Sequence, residues 1–304
     1  MNQRRPDMLH LKNTIFDIPV VNNVILYEET DSTNIRAKEF GNRGCVDGTL
    51  IIADTQTAGK GRMGRSFSSP PDTGIYMSLL LKPSIDVTHV SSITLLAAMA
   101  AAKALEAIDG LQPSVKWPND IVIDGKKVVG ILTEMSCDAV RIPKTYGLAD
   151  MEYASAPAYE TNLKYVVVGI GINVNNEFFP DEISDTAASL YQLCGRRLDR
   201  EAIIYQVWSH FNDYYHAFLA SRSLSFLIED YNNMLASYGK DVYIIPHEKT
   251  AGESNPYQID TTGLAPCLCM GIDTEGALIC RHADGTLEHV NAGEVSIRGL
   301  HAYI

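Results

Sequence analysis

Apolar residues fall in short blocks along the first half of the chain, each closed by a polar or glycine-rich turn. Val24-Ile25-Leu26-Tyr27 reads as a strand, and the polar turn at 29–34 leads into a helix over 33–41. Asp31 or Ser32 is placed to cap that helix, and Gly41 and Gly44 to end it. Strands follow at 49–54 and at 74–81, the second stopped by Pro83. Ala and Leu dominate 91–108, a helix closed by Asp109-Gly110. Strands at 114–117 and 120–123 flank Pro118, and Asp124-Gly125 marks a tight hairpin into a strand over 127–135. The branched run 165–168 is a buried strand, whereas 137–164 fades into Pro, Ala, Tyr and Gly, a length of loop that is usually functional or disordered. Apolar positions 204, 207, 208, 211, 215 and 218 have helical spacing, and a further helix is expected at 224–236. Past Gly239 the pattern shortens to strands at 241–246, 263–272, 277–281 and 294–298, the signature of a small antiparallel barrel. The chain thus divides into a lead of residues 1–22, an α/β unit over 23–237 and a β unit over 238–304, with the boundary at Ser237-Tyr238-Gly239.

Composition narrows the chemistry. The chain has 304 residues and a formal net charge of −12, which argues against nonspecific nucleic-acid binding, a process driven by many Lys and Arg displacing phosphate counterions. Six cysteines are scattered at 45, 137, 194, 267, 269 and 280, without zinc-finger spacing, and the eight histidines form no pair at metal-ligand spacing. No apolar run follows Arg4-Arg5, and the apolar core of the long helix, 93–102, is stopped by Lys103 before it can span a bilayer. A cytoplasmic protein with no nucleic-acid or membrane partner is expected.

Three segments stand out. Gly59-Lys60-Gly61-Arg62-Met63-Gly64-Arg65 sets three cations and three glycines in seven positions of an acidic chain. Glycines permit close backbone approach and the cations supply charge-assisted donors, so the loop suits a small anion, although a cationic surface turn has the same composition. It matches the glycine spacing of a dinucleotide site, but Ser66-Phe67-Ser68-Ser69-Pro70-Pro71 leaves no helix to follow, and the P-loop pattern is absent. In Lys116-Trp117-Pro118-Asn119-Asp120 the lysine ends a buried strand, where it either meets an anion or pairs with Asp120 as an edge residue. Gly169-Ile170-Gly171-Ile172-Asn173-Val174-Asn175 directly follows the strand at 165–168; its glycines admit a ligand or simply close sheet packing. Glu134 is isolated and reads as a surface residue.

Taken in order with Asp31-Ser32-Thr33-Asn34, Gln56, Gly130-Ile131-Leu132-Thr133-Glu134 and Gly293-Glu294-Val295-Ser296-Ile297-Arg298, these segments resemble the biotin protein ligase family over roughly residues 24–304. The resemblance implies an α/β (α+β) catalytic domain with a mixed sheet, of the class II synthetase-like biotin/lipoate ligase fold, and a small C-terminal SH3-like β-barrel. It implies joining of biotin to AMP from ATP with Mg²⁺, then transfer to a lysine of a biotin carboxyl carrier protein. By that resemblance Arg62 and Lys116 are the catalytic cations. Ser32, Thr33, Asn34, Gln56, Gly59, Lys60 and Gly61 join them around biotin. Arg62, Arg65, Phe67, Trp117, Asn119, Asp120 and Asn173 face the nucleotide, and Asn119, Asp120 and Glu134 are candidates near the metal. Lys60 stands where the family often has Arg, and Phe67 where Trp is common; 137–164 is longer than the family leads one to expect. A lipoate or octanoate ligase shares the acyl-transfer logic, but the polar residues at 32–34 suit a urea ring better. A biotin-sensing repressor needs a helix-turn-helix domain, for which the stretch before residue 24 is too short. A monofunctional enzyme is therefore expected, and the family admits a homodimer.

Overall fold

A computed structural model describes residues 14–141, 159–246, 261–292 and 295–299. Alternating apolar positions build a seven-stranded mixed sheet from β1 (Asn23–Thr30), β2 (Thr49–Gln56), β3 (Ile75–Leu81), β4 (Ser114–Lys116), β5 (Asp120–Ile123), β6 (Lys126–Arg141) and β7 (Tyr159–Ile172), in the order β1-β2-β3-β7-β6-β5-β4. Only β1 and β2 pair in parallel, and helix α1 (Thr33–Asn42) is the crossover that parallel pairing requires; the other pairs are antiparallel.

Period-two alternation divides the sheet into two faces. Met77 and Leu79 of β3, Val129 and Ile131 of β6, and Val166, Val168 and Ile170 of β7 join the main core. On that side lie α2 (Val90–Glu106) and α3 (Arg200–Ser221), which pack on each other. The opposite face carries α1 over Ile51, Leu80, Tyr165 and Val167. By the same alternation, Ser78, Gly130, Leu132, Glu134, Gly169 and Gly171 belong to the α1 face.

Several expectations change. Gly41 does not end the first helix but lies inside it: a Cβ there would come within 2.7 Å of the Tyr165 ring, so packing demands the glycine. Ser32 is the N-cap by position, but its side chain makes no capping bond; Asp31 Oδ1 instead accepts from the Ser32 backbone N–H at 2.6 Å. The segment Gly169–Ile172 does not follow a strand but completes β7, whose register with β3 and β6 runs through it. The pattern also fades too early at 137, because β6 and β7 continue as a hairpin arm to Arg141 and from Tyr159; residues 142–158 lie outside the described residues. Val87–Glu106 is long and apolar enough to cross a membrane by length and composition, longer than the run that Lys103 interrupts. Here it is the central core helix, and Lys103 pairs at its edge with Glu106.

A second, five-stranded antiparallel sheet contains β8 (Asp241–Pro246), β9 (Cys267–Ile272), β10 (Leu278–Arg281), β11 (Leu287–Val290) and β12 (Val295–Gly299), in the order β11-β10-β9-β8-β12. The strand β11 has no counterpart in the sequence reading, since three of its four residues are exposed and carry no alternation. The expected helix at 224–236 shortens to α4 (Ile228–Met234). The β9–β10 turn wedges against the first unit. Gly276, at φ +91, lies where a Cβ would meet Leu95 and Leu224, and its carbonyl accepts from Trp117 Nε1 at 3.1 Å.

Candidate active site

On the α1 face a cleft opens between the start of α1, the glycine loop and the centre of β3, β6 and β7. Its lining is graded. At one end stand the neutral polar groups Ser32, Thr33, Asn34 and Gln56; Leu132 and the glycines Gly130, Gly169 and Gly171 form the middle, where Met77, Ile131 and Ile170 turn their side chains to the core behind the sheet; Lys60, Arg62 and Lys127, with Asn119, form a cationic end.

The polar end is built by a short network. Thr33 is held to Gln56 Oε1 through its backbone N–H at 2.8 Å, and Gln56 Nε2 donates to Ser69 Oγ at 2.9 Å. Asn34 Nδ2 donates to Glu134 Oε2 at 2.9 Å and to the Leu132 carbonyl at 3.1 Å. The glycines of β7 make room for these side chains. A Cβ at Gly169 would lie 2.0 Å from Asn34 Oδ1, and one at Gly171 would lie 2.6 Å from the Phe67 ring. The close approach expected at this segment is therefore that of Asn34 and Phe67, both cleft residues.

The glycine loop is itself a small hairpin. Phe67 N–H donates to the Gly59 carbonyl at 2.8 Å and Gly61 N–H to that of Arg65 at 2.7 Å. Met63 (φ 58) and Gly64 (φ +74) turn its tip. Gly59 closes its base, where a Cβ would meet the Phe67 carbonyl at 2.4 Å. The tip bends Arg62 across the cleft, where Nη1 donates to Asn119 Oδ1 at 2.7 Å. Burial pushes the Arg62 pKa down, Asp120 opposes that, and Arg65 adds to it. An enclosed guanidinium held by a neutral amide keeps its charge available to an arriving anion.

Among the sequence candidates, Ser32, Thr33, Asn34, Gln56, Lys60, Gly61, Arg62, Phe67 and Asn119 line the cleft. Gly59 supports the loop from behind, and Arg65 is exposed outside the lining. Lys116 lies on the edge strand β4 with its ammonium enclosed by protein, and it does not line the cleft. The lysine that does is Lys127, which the sequence reading missed: it meets Asp120 Oδ1 at 2.7 Å. Trp117 is turned to Gly276, and Asn173 Nδ2 donates to the Ala188 carbonyl at 3.3 Å; both are buried structural groups outside the lining.

The metal candidates are engaged by neighbouring side chains. Asp120 Oδ1 is engaged by Lys127 and by Asn119 Nδ2 at 3.1 Å, and Glu134 gives one oxygen to Lys38 at 2.6 Å and the other to Asn34. No group of three or more His, Cys, Asp or Glu residues is arranged for a metal among the described residues.

Comparison with known proteins gives this arrangement its class. Residues 26–140 match the biotin/lipoate A/B protein ligase family, and residues 270–298 match the biotin protein ligase C-terminal domain. The bifunctional ligase/repressor BirA of Bacillus spizizenii is 39% identical over 203 residues, covering 66% of this chain and 56% of that protein. The biotin–[acetyl-CoA-carboxylase] ligase of Mycobacterium tuberculosis is 28% identical over 180 residues, 58% of this chain and 57% of that protein. This chain thus spans a little over half the length of these curated relatives. The biotin protein ligase of Aquifex aeolicus, solved with biotin and ATP, superposes with a TM-score of 0.69 at 26% identity, over 91% of this chain and 99% of that one. The chain has the biotin protein ligase fold, and its two matched segments are similar to the ligase domain and the C-terminal domain of that class.

Proposed function

We propose that this protein is an ATP-dependent biotin protein ligase, which activates biotin to biotinyl-5′-AMP and passes it to a lysine of a biotin carboxyl carrier protein. The observation that carries the reading is the gradation of the cleft. A neutral ring rich in hydrogen-bonding groups fits Ser32, Thr33, Asn34 and Gln56; an aliphatic chain fits Leu132 and the open floor left by Gly130, Gly169 and Gly171; a carboxylate fits Lys60, Arg62 and Lys127. Biotin has these three parts in that order.

The first step brings two anions together, since a biotin carboxylate oxygen must attack the α-phosphorus of ATP while the bond to the β-phosphate breaks and pyrophosphate leaves. A cation at about 4 Å contributes roughly 4 kcal/mol against a unit charge at an effective dielectric of 20. Cations already held in place stabilise the developing charge without reorganising, and Asp120 and Asn119 do that for Lys127 and Arg62. We therefore assign the catalytic lysine role to Lys127 rather than Lys116. In the second step the acceptor amine attacks the acyl carbon and AMP leaves. The loop hairpin, with Arg62 tied to Asn119, covers the hydrolysable mixed anhydride in the interval. Magnesium would travel on the ATP phosphates with its own water, as it commonly does, and no step here is routed through it.

The six free thiols and the acidic charge accord with a reducing cytoplasm. Biotin-dependent exchange between ATP and pyrophosphate, followed by labelling of an isolated carrier domain, tests the reading. Exchange driven by lipoate but not by biotin would reassign the protein to the lipoate ligases.

A further inference from the structure

The network behind the polar end of the cleft has a direction, and it starts from a charge outside the cleft. One end of the Asn34 amide faces Glu134 Oε2 at 2.9 Å and the Leu132 carbonyl at 3.1 Å. A carboxylate and a carbonyl only accept, so that end must be the amide nitrogen. Lys38 Nζ, 2.6 Å from Glu134 Oε1, keeps the carboxylate ionised. Burial raises the carboxyl's pKa, but the hydrogen bonds of Lys38 and Asn34 and the charges of Lys38 and Lys60 outweigh it and hold the group below its ordinary value.

Asn34 Oδ1 is thereby turned to Ser78 Oγ at 2.6 Å, where it can only accept. Ser78 is fully buried and has one hydroxyl proton, which goes to Asn34. The same Ser78 oxygen lies 2.7 Å from Thr33 Oγ1, so the proton in that contact must come from Thr33. Gln56 Oε1, at 3.2 Å from the Thr33 hydroxyl, is the more distant acceptor and already receives the Thr33 backbone N–H. With its single proton turned inward, Thr33 offers the cleft lone pairs alone.

We infer that the Lys38–Glu134 pair, acting through Asn34 and Ser78, fixes the Thr33 hydroxyl as an acceptor, so that this end of the cleft selects a ligand presenting an N–H and rejects one presenting an oxygen lone pair. Glu134 and Ser78 are positioning residues in this scheme. The inference rests on the biotin reading of the cleft and narrows it: a ring N–H, rather than the size of the ring, is what this end recognises.

The test is calorimetric binding of biotin and of its cyclic carbamate analogues, in which one or the other ring N–H is replaced by oxygen at nearly constant size. The parent protein is expected to prefer biotin to one of the two analogues by at least about 100-fold, because a buried acceptor facing another acceptor is left without a partner. In Glu134→Gln, Lys38 holds the new amide oxygen and turns the amide nitrogen toward Asn34, which reverses the chain. The preference is expected to shrink below about 10-fold, with the larger change in the carbamate's affinity. Ser78→Ala frees the Thr33 proton and is expected to shrink it likewise, which decides the matter should Glu134→Gln fail to fold. A parent protein that binds both ligands alike, or variants that weaken both by the same factor, would overturn the inference and leave the biotin reading standing. A parent protein that binds no biotin would overturn both.

Discussion

Lys127 and its neighbour Lys126 occupy consecutive positions of one strand, and their amines end in different places. Lys126 donates to the Ser184 carbonyl at 3.0 Å, whereas Lys127 meets Asp120 at the cationic end of the cleft. Lys127→Ala is expected to lower biotin-dependent ATP–pyrophosphate exchange by about 100- to 1,000-fold, the scale for losing one preorganised stabilising group. Lys116→Ala should retain most of the exchange, and the opposite ranking would return the catalytic role to Lys116. Gly171→Ala drives a methyl to within 2.6 Å of Phe67, and a cost of about 1–3 kcal/mol in chemical denaturation is expected, together with weaker biotin binding. Legibility differed from residue to residue. Ser32, Thr33, Gln56 and Arg62, singled out through the family resemblance of their segments, line the cleft. Lys127 was not singled out, because two adjacent lysines after an Asp-Gly turn look like a solvated hairpin.

Among the elements, the glycine loop, read as a small-anion loop or a cationic surface turn, folds as a hairpin tied to the β4–β5 turn by Arg62 and Asn119. Arg62→Gly is expected to raise the rate of biotinyl-AMP release by about 10-fold or more, since roughly 1.4 kcal/mol of lost retention is a factor of ten. Asn119→Ala should act in the same direction by less. The double variant should fall short of the product of the two, because both remove one contact. Measuring free adenylate over time checks all three. The strand–helix alternation up to β5 was legible because each element has a buried face. The arm of β6 and β7 beyond Cys137 was not: Asp138, Ala139, Thr161 and Asn162 are exposed and carry no apolar alternation.

At the scale of the whole molecule, the two sheets are joined where Trp117 and Gly276 meet. Trp117 belongs to the segment read as nucleotide-facing, yet its indole serves the junction. Trp117→Phe removes that hydrogen bond, and a loss of about 1 kcal/mol is expected, seen as a fall in Tm of about 2–4 °C by calorimetry. Unchanged stability would show that the bond contributes nothing to holding the units together.

The chain by itself determined the elements with a buried face, the shift to short strands after Gly239, and a glycine loop whose cations suit an anion. Those features are local: periodicity and side-chain chemistry are written in consecutive residues. Tertiary structure decided which lysine meets the cleft, why Gly41, Gly169 and Gly171 are glycines, and which way the protons run behind Thr33. Each depends on a partner from a distant strand, such as Tyr165 against Gly41 or Glu134 against Asn34. A sequence states donors and acceptors, but only packing states which of them face each other.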